Sequence, residues 1–339
     1  MVRLSKLVLI ILTGILPAVF ATAGEFTTFK NDQGIDLFFD YTGEVMSNVS
    51  GGDHTGSGYN GLASFGIEAD LGQALGWQGL TLRLSGMDLH GSGIGSRVGD
   101  MLGVSNIEGY ASVRLYESWV EKLFADESLS LRAGLLLADE EFSTVDTAGP
   151  FLNATFGWPE FISMNTVNTG PAFYIPALGL RLLWEPNDAW YGRVGVFDGD
   201  TFDLPEGDDT VNRHGLHLEL GNSQGTFGMV EIGYRYNQAE DADGLPGIYK
   251  LGGWWHSGEF DDLRGGPSHD GNTGRVRVRR ADGLPRVRRP RAEPLCPRRI
   301  RAGRSQCDRL QFSGWLELCW FDSRPRHRHH STWPVTRTH

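Results

Sequence analysis

The feature that most constrains the fold of this chain is a set of basic residues inside segments that alternate apolar and polar side chains. A period of two is typical of β-strands, because successive side chains of a strand point to opposite faces of the sheet. Six of the seven bases have an apolar residue on each side, so we expect one basic, wet face and one apolar face. The bases are Arg83, Arg114, Arg132, Arg181, Arg193, Arg235 and Lys250.

This alternation predicts strands along most of the chain up to residue 255. The 46 glycines suit many strands joined by turns and disfavour long helices, which argues against an all-helical fold. The predicted strands centre on residues 35–41, 80–84, 111–115, 129–137, 180–184, 190–197, 214–220, 229–236 and 248–255.

An alternating sheet fits two classes of protein. In a soluble sandwich the apolar face is the core, whereas in an outer-membrane barrel the apolar face meets lipid and the bases line a water-filled lumen. Segments such as 129–137 and 226–236 are long enough for the roughly 9–11 residues that cross a bilayer. Aromatic residues near strand ends suit interfacial girdles, and so we favour the barrel. The girdle candidates are Phe38, Phe39, Trp184, Trp190, Tyr191, Trp254 and Trp255.

The first 23 residues have the pattern of a cleaved export signal. Arg3 and Lys6 precede an apolar run over residues 7–20, and the small residues at 21–23 suit a signal peptidase. The alternative is an anchoring helix, which needs about 20 apolar residues, whereas this run is shorter and contains glycine and proline. We therefore expect the mature chain to begin near Gly24.

The balance of charge changes at about Gly274. Residues 1–274 carry 14 Lys+Arg against 37 Asp+Glu, whereas residues 275–339 carry 17 against 5. We interpret the late segment as out-of-frame translation of a GC-rich gene, and we expect little ordered structure in it. The alternatives are a basic patch for nucleic acid or anionic lipid and a metal site of cysteines and histidines, although no C-x-x-C pair supports zinc.

Four motifs between residues 114 and 254 support a single interpretation when they are taken together. They are Arg-Leu-Tyr-Glu-Ser-Trp at 114–119, Ala-Asp-Glu-Glu-Phe at 138–142, Tyr-Lys-Leu-Gly-Gly-Trp at 249–254 and, most specific of all, Phe-Leu-Asn-Ala-Thr-Phe-Gly-Trp-Pro at 151–159. With these motifs the chain resembles the carbohydrate-selective porins of the OprB family, over about residues 35–265.

The resemblance implies an all-β fold, a transmembrane antiparallel β-barrel that has 16 strands in the family. It implies passive diffusion of sugars such as glucose, with mono- or oligosaccharides as substrates, across the outer membrane of a bacterial cell. Outer-membrane lipid and the barrel-assembly machinery would be its partners, and a homo-oligomer is compatible with it. Family members continue with closing strands where this chain changes composition, so we expect an incomplete barrel. The predicted organisation is a signal peptide at 1–23, a barrel region at 24–274 and an aberrant tail at 275–339.

Two groups of side chains are our candidates for contact with sugar. Arginine and carboxylate groups offer paired donors and acceptors to vicinal hydroxyls. Alternation places the first group towards the lumen: Glu44, Glu68, Arg83, Arg114, Arg132, Arg181, Arg193, Glu219, Glu231 and Arg235. The segment 139–159 has broken periodicity and suits a loop folded into the pore, the alternative being an ordinary external loop. Its constriction candidates are Asp139, Glu140, Glu141, Phe151, Phe156 and Trp158.

We predict no cofactor, no metal site, no nucleic-acid partner and no enzymatic activity. The aspartates near residues 198–200 and 241–243 do not complete a calcium-binding loop and suit solvated turns. No nucleophile, base and orienting residue form a motif. The alternative function is a secreted or surface β-rich carbohydrate-binding or adhesive protein, for which shorter strands of about 5–6 residues would suffice. An outer-membrane hydrolase in barrel form is the weakest interpretation.

Overall fold

In the computed structural model the chain forms one antiparallel sheet of 12 strands. The structure describes residues 20–23, 27–145, 148–202, 212–218, 220, 225–239, 242, 244–262 and 265–281. The strands are β1 (Phe20–Ala23), β2 (Thr27–Lys30), β3 (Ile35–Asn48), β4 (Gly56–Asp70), β5 (Leu80–Gly91), β6 (Ser112–Phe124), β7 (Leu129–Leu136), β8 (Ala177–Trp184), β9 (Trp190–Asp198), β10 (Thr226–Tyr236), β11 (Gly247–Phe260) and β12 (His269–Ala281). The predicted all-β class is confirmed.

The order of strands in the sheet follows the chain. From β3 to β12 each strand pairs with the next, and β1 and β2 both pair with the remaining edge of β3. Within the described residues no pairing joins β12 to β1 or β2, so closure into a ring is not seen. Cleavage of a signal peptide after residue 23 stays a prediction, and residues 20–23 form β1.

Most strands are long. Seven of them have 11 to 15 residues, which is about twice the usual length in globular proteins. Strands of this length match the roughly 9–11 residues that a tilted strand needs to cross a bilayer.

The two ends of the sheet differ in their connections. At one end, which we call the short-turn end, residues 31–34, 125–128 and 185–189 join strands directly. At the opposite, long-loop end the three longest connections are residues 92–111 and the partly described 137–176 and 199–225. Sequence periodicity is lost where these connections begin.

Helices occur only in the connections of the described chain. They are α1 (Leu71–Leu75), α2 (Gly95–Val98) and α3 (Glu160–Ser163), with 3₁₀ turns at Ala154–Phe156 and Val167–Thr169. The carboxylate of Asp70 caps α1 by accepting from the backbone N–H of Gly72 at 2.8 Å, and Gly76 ends it with φ 79°. None of the described helices is long and apolar enough to cross a membrane.

Residues 137–176, which we call the inner loop, fold back over one face of the sheet, which we call the inner face. The ring of Phe142 lies 6.3 Å from that of Phe197, and the ring of Trp158 lies 6.3 Å from that of Phe227. The core therefore lies between loop and sheet. Its buried members are Trp119, Leu136, Ala138, Phe142, Trp158, Ile162, Ala172, Ala177, Phe197, Phe227, Met229, Trp254, Val276 and Val278.

The opposite, outer face is apolar and exposed. Leu251 and Leu180 are 59% and 55% exposed, and similar side chains continue across the sheet. A continuous apolar face of this kind requires a non-aqueous partner, and a soluble sandwich would bury it. Further exposed members are Leu37, Phe39, Val45, Phe65, Leu82, Leu84, Val113, Val120, Leu131, Leu182, Val194, Val196, Val230 and Ile232.

An aromatic row follows the outer face at the short-turn end. The rings of Trp190 and Tyr234 lie 4.7 Å apart, those of Tyr236 and Tyr249 lie 5.2 Å apart, and the exposed Trp184 continues the row. This is the arrangement of an interfacial girdle.

Three of the predicted girdle residues lie on the inner face instead. They are Phe38, Tyr191 and Trp254, whereas their sequence neighbours Phe39, Trp190 and Trp255 are exposed on the outer face. Adjacent residues of a strand point to opposite faces, so only one of each pair can belong to a girdle.

One strand was missed and one strand prediction was wrong. β4 was not predicted, because its sequence is rich in glycine and small residues and alternates weakly. The segment 214–220 was predicted as a strand, but its described residues, 214–218 and 220, form turns and irregular structure in a long connection. The alternation of this segment does not produce a strand, because none of the described strands pairs with it.

β12 continues through the change in composition at Gly274 and pairs with β11 as far as Ala281. Its alternation is reversed, because Val276 and Val278 are buried on the inner face and the arginines are exposed on the outer face. The arginines are Arg275, Arg277 and Arg279. Residues 275–281 are thus an ordered strand, contrary to our expectation for the start of the tail. Residues 282–339 lie outside the described residues, and an out-of-frame origin stays a prediction.

We predict that replacing these three arginines by leucine raises the fraction of protein that folds into phospholipid vesicles. An arginine on the lipid face costs about 2–4 kcal/mol at the bilayer midplane and about 0–1 near its surfaces. The folded fraction is measured from the mobility of unheated samples in gels. Arg213→Leu, on an exposed connection, is the control, and an equal gain in that control would refute the argument.

Candidate functional site

The centre of the inner face carries a set of paired charges. The register places Glu121 of β6 opposite Arg132 of β7, and Arg132 opposite Arg181 of β8. Glu121 forms ion pairs with Arg132 at 3.0 Å and with Arg181 at 2.9 Å. The guanidinium of Arg132 also lies 4.0 Å from the ring centre of Trp119, which fixes its plane.

Glu141 joins the inner loop to this set. Its carboxylate lies 2.8 Å from Nε of Arg181, 3.1 Å from Arg132 and 3.9 Å from Arg193. One side chain of the loop therefore contacts bases on three adjacent strands. Because these groups are partly shielded from water, their mutual attraction is stronger than that of surface pairs.

A second carboxylate, Glu231 of β10, binds the loop from the sheet. It accepts hydrogen bonds from the backbone N–H of Ser143 at 2.9 Å and from the hydroxyl of Tyr191 at 2.8 Å. Lys250 of β11 donates to the carbonyl oxygen of Thr144 at 2.7 Å. Residues 141–144 are thus held at several points, and we call this stretch the loop anchor.

On β5, Arg83 has two acidic partners. It pairs with Glu68 at 3.0 Å and with Glu117 at 3.0 Å, and its guanidinium lies 4.6 Å from the ring centre of Phe38. Glu117 also accepts from the indole N–H of Trp119 at 3.0 Å. Arg83 and Glu68 keep part of their surface exposed, so their outer atoms are accessible to a solute.

Two carboxyl groups at the start of the inner loop crowd against Glu117. Desolvation between loop and sheet, followed by the charges of Glu117 and Asp139, raises the pKa of Glu140 from 4.5 to about 8. Burial raises the pKa of Asp139 to about 6, against a hydrogen bond from the backbone N–H of Phe173 that lowers it. The raised pKa favours the protonated form of Glu140 beside Glu117.

Two predicted lumen residues are inner-face residues that lie under connections of the long-loop end. Glu44 is buried and accepts from the amide of Asn60 at 2.8 Å. Arg114 is buried, donates to the carbonyl oxygen of Asn212 at 2.9 Å, and lies 5.4 Å from the ring centre of Tyr110. Both side chains hold connections in place and present little surface to a passing solute.

The aromatic constriction candidates fall into two kinds. Trp158 is 8% exposed and donates its indole N–H to the carbonyl oxygen of Thr169 at 2.8 Å, so it packs the loop and offers little ring surface to a sugar. Phe151 and Phe156 stack with ring centres 4.5 Å apart and remain exposed. A direct contact with sugar stays a prediction for these two.

The remaining candidates divide in the same way. Arg193 and Arg235 lie on the inner face near the short-turn end, and Arg235 pairs with Glu185 at 2.8 Å. Glu219 lies outside the described residues. Glu117, Glu121 and Lys250 were not among the predicted sugar contacts, although Lys250 was one of the seven bases assigned to the wet face. Glu117 and Glu121 stand three and seven residues after Arg114 in β6, so strict alternation would place them on the opposite face. An irregularity in the pairing of β5 with β6, between Leu84 and Gly86, brings Arg114, Glu117 and Glu121 to the inner face.

We predict that Glu141→Gln loosens the inner loop. The substitution removes the charge that holds three arginines, and breaking a shielded ion pair of this kind costs about 3 kcal/mol. Limited proteolysis of the folded protein, read by mass spectrometry, should show faster cleavage within residues 137–176. Glu185→Gln breaks a pair of similar length away from the loop and is the matched control. Equal cleavage in both variants would contradict the anchoring role.

We also predict a pH dependence that Glu140 controls. Its pKa is raised in the folded protein, so the folded state holds a proton that the unfolded chain releases, and stability falls as the pH rises towards about 8. Thermal unfolding should therefore show a lower midpoint at about pH 8.5 than at about pH 6.5. Glu140→Gln should flatten this slope, and parallel slopes in both proteins would refute it.

Comparison with known proteins agrees with this arrangement. The profile described as carbohydrate-selective porin, OprB family, matches residues 54–285, more than half of the chain. Porin B of Pseudomonas aeruginosa is 25% identical over 248 residues, which cover 68% of this chain and 51% of that protein. The putative porin QuiX of Acinetobacter baylyi is 23% identical over 253 residues, which cover 66% and 53%. The chain thus spans about half the length of these curated relatives.

A solved structure shares the fold. The high-pH structure of OprB from Pseudomonas putida aligns with a TM-score of 0.63 at 23% identity, covering 75% of this chain and 62% of that one. The likeness extends to the antiparallel sheet described above. Together with the profile match, it confirms the family that the motif at residues 151–159 indicated, and the chain belongs to the carbohydrate-selective porins of the OprB family.

Proposed function

We propose that this protein lets sugars such as glucose diffuse passively across the bacterial outer membrane, along the charged inner face and past the inner loop. One observation carries the proposal: the charged face is turned towards the loop, and the apolar face is turned outward. This is the arrangement of a sheet that meets lipid on one side and water on the other. The family membership supports it.

The inner face suits neutral, hydroxyl-rich solutes. Arg83 with Glu68 and Arg132 with Glu121 place donors and acceptors about one hydrogen bond apart. A sugar with vicinal hydroxyls exchanges hydrogen bonds with such pairs. Since each charge already has a partner, a sugar gains little net energy and leaves readily, as diffusion through a pore requires.

The outer face indicates the partners. Its aliphatic surface and the aromatic row from Trp184 to Tyr249 suit contact with acyl chains and with the polar boundary of the membrane. Outer-membrane lipid and the barrel-assembly machinery are accordingly our proposed partners. The role is that of a channel rather than an enzyme. A secreted carbohydrate-binding or adhesive protein would leave this face in water, and so we do not favour that alternative.

We predict that Arg132→Ala changes sugar flux in liposomes. The guanidinium fills space between the inner loop and Trp119, so its removal widens the passage and removes donors. Swelling rates should rise more for a disaccharide than for glucose, and the ratio of glucose to disaccharide rates should fall about threefold, equivalent to under about 1 kcal/mol.

Two comparisons make this test decisive. Arg97→Ala removes a base in α2, where Arg97 donates to the carbonyl oxygen of Ser57 at 3.0 Å, and should leave the ratio unchanged. Trp158→Ala, which unpacks the loop, should also alter flux. Unchanged rates for every sugar in both Arg132→Ala and Trp158→Ala would defeat the proposed route.

A further inference from the structure

A cavity of about 180 Å³ lies between the loop anchor and the short-turn half of β9, β10 and β11. It has room for one ligand the size of a monosaccharide. We call it the basic cavity, since its lining contains three bases. The lining residues are Thr144, Val145, Tyr191, Arg193, Arg235, Ile248 and Lys250.

The charge of this cavity differs from that of the paired set above it. Among its described lining residues there are three basic side chains and no acidic one. Three carboxylates lie outside the lining: Glu231, near Arg193 and Lys250; Glu141, near Arg193; and Glu185, bound to Arg235. An anion in the cavity would therefore contact basic side chains and no lining carboxylate.

The ion pairs of Arg193 in this cavity are long. Arg132 and Arg181 reach their carboxylates at 2.8–3.1 Å, whereas Arg193 lies 3.8 Å and 3.9 Å from Glu231 and Glu141. At these distances a charge is attracted but no hydrogen bond forms. Nε of Arg193 is buried and has no hydrogen-bond partner among the described residues, whereas its Nη1 donates to the carbonyl oxygen of Glu141.

Tyr191 holds two of the bases in position. The guanidinium of Arg193 lies 4.5 Å from its ring centre, and that of Arg235 lies 4.7 Å from it. The hydroxyl of Tyr191 is fixed by its hydrogen bond to Glu231. Stacked guanidinium groups lose little freedom when they bind, and their planar forks match a carboxylate.

We propose that the basic cavity binds sugar acids, that is, polyhydroxylated monocarboxylates of about six carbons. The carboxylate would lie against Arg193 and Arg235, and the hydroxyls would face the hydroxyl of Thr144 and the ring of Tyr191. This inference rests on the proposed function, because the ligand reaches the cavity through the same passage. It deepens that function by adding an anionic substrate class to the neutral sugars.

The test uses the full chain in planar bilayers and compares three probes. Gluconate has both hydroxyls and a carboxylate, sorbitol has hydroxyls alone, and acetate has a carboxylate alone. Each is titrated against single-channel conductance, and inorganic phosphate is added as a further anion. We expect gluconate to reduce conductance at a lower half-saturating concentration than any of the other three probes.

Substitutions test whether gluconate acts at the basic cavity. Arg193→Gln with Arg235→Gln should raise the half-saturating concentration of gluconate by at least about threefold more than that of sorbitol, as expected for partly screened charge pairs. Arg193→Lys keeps the charge but not the fork and should fall between. Arg213→Gln removes an exposed base of a long-loop connection and should have no effect.

The outcomes separate the two proposals. Equal effects of gluconate and sorbitol, or of gluconate and acetate, would overturn the sugar-acid site, as would a stronger effect of phosphate. Liposome swelling with glucose is measured on the same preparation. Swelling without gluconate selectivity refutes this inference alone, whereas absence of both conductance and swelling refutes the proposed function.

Discussion

The attraction between Glu141 and the arginines of three adjacent strands is the interaction on which the inner architecture depends. Without it, the inner loop would be held against the sheet by apolar contacts such as that of Phe142 with Phe197 and by the hydrogen bonds of Glu231 and Lys250 to Ser143 and Thr144. Apolar contacts are not directional and allow a loop to slide. The carboxylate fixes the position of the loop because Arg132 and Arg181 are themselves held by Glu121. A selective passage depends on a fixed position of the inner loop rather than on how tightly the loop binds the sheet.

The same anchoring divides the inner face into regions with different chemistry. Around Arg83 of β5, Glu68 and Glu117 form ion pairs and Glu140 lies near Glu117, so acids outnumber bases. On β9, β10 and β11 the lining of the basic cavity is positive. The two regions lie side by side around the sheet, because Arg83 and Arg193 are each the fourth residue of their strand counted from the short-turn end. A solute therefore meets acids on one side of the inner face and bases on another.

Alternation was sufficient to predict the fold class and the face on which most candidate residues lie. Arg83, Arg132 and Arg181 needed only their apolar neighbours to be placed. The register could not be predicted from the sequence, because cross-strand partners depend on long-range pairing. The contacts of Glu121 with two arginines depend on that register and were therefore not predicted.

The burial of individual side chains could not be predicted from the sequence either. Glu44 and Arg114 obey the alternation and yet lie under connections whose paths no local pattern describes. Trp158 belongs to a distinctive motif, but whether its ring packs or faces a solute depends on α3 and on Phe227. The basic cavity is formed by residues of three strands and of the loop anchor, so no single stretch of sequence predicts it.

The reversed faces of β12 have a further consequence. Its main-chain hydrogen bonds to β11 do not depend on which side chains point outward, so a slip of one residue would keep the ladder and exchange the faces. The slipped strand would turn Arg275, Arg277 and Arg279 towards the water-filled side and its two valines towards acyl chains. The face that such a strand turns outward thus depends on the surroundings of each face rather than on its backbone. In β12 the sequence does not favour the observed faces, because the three arginines lie on the outer one.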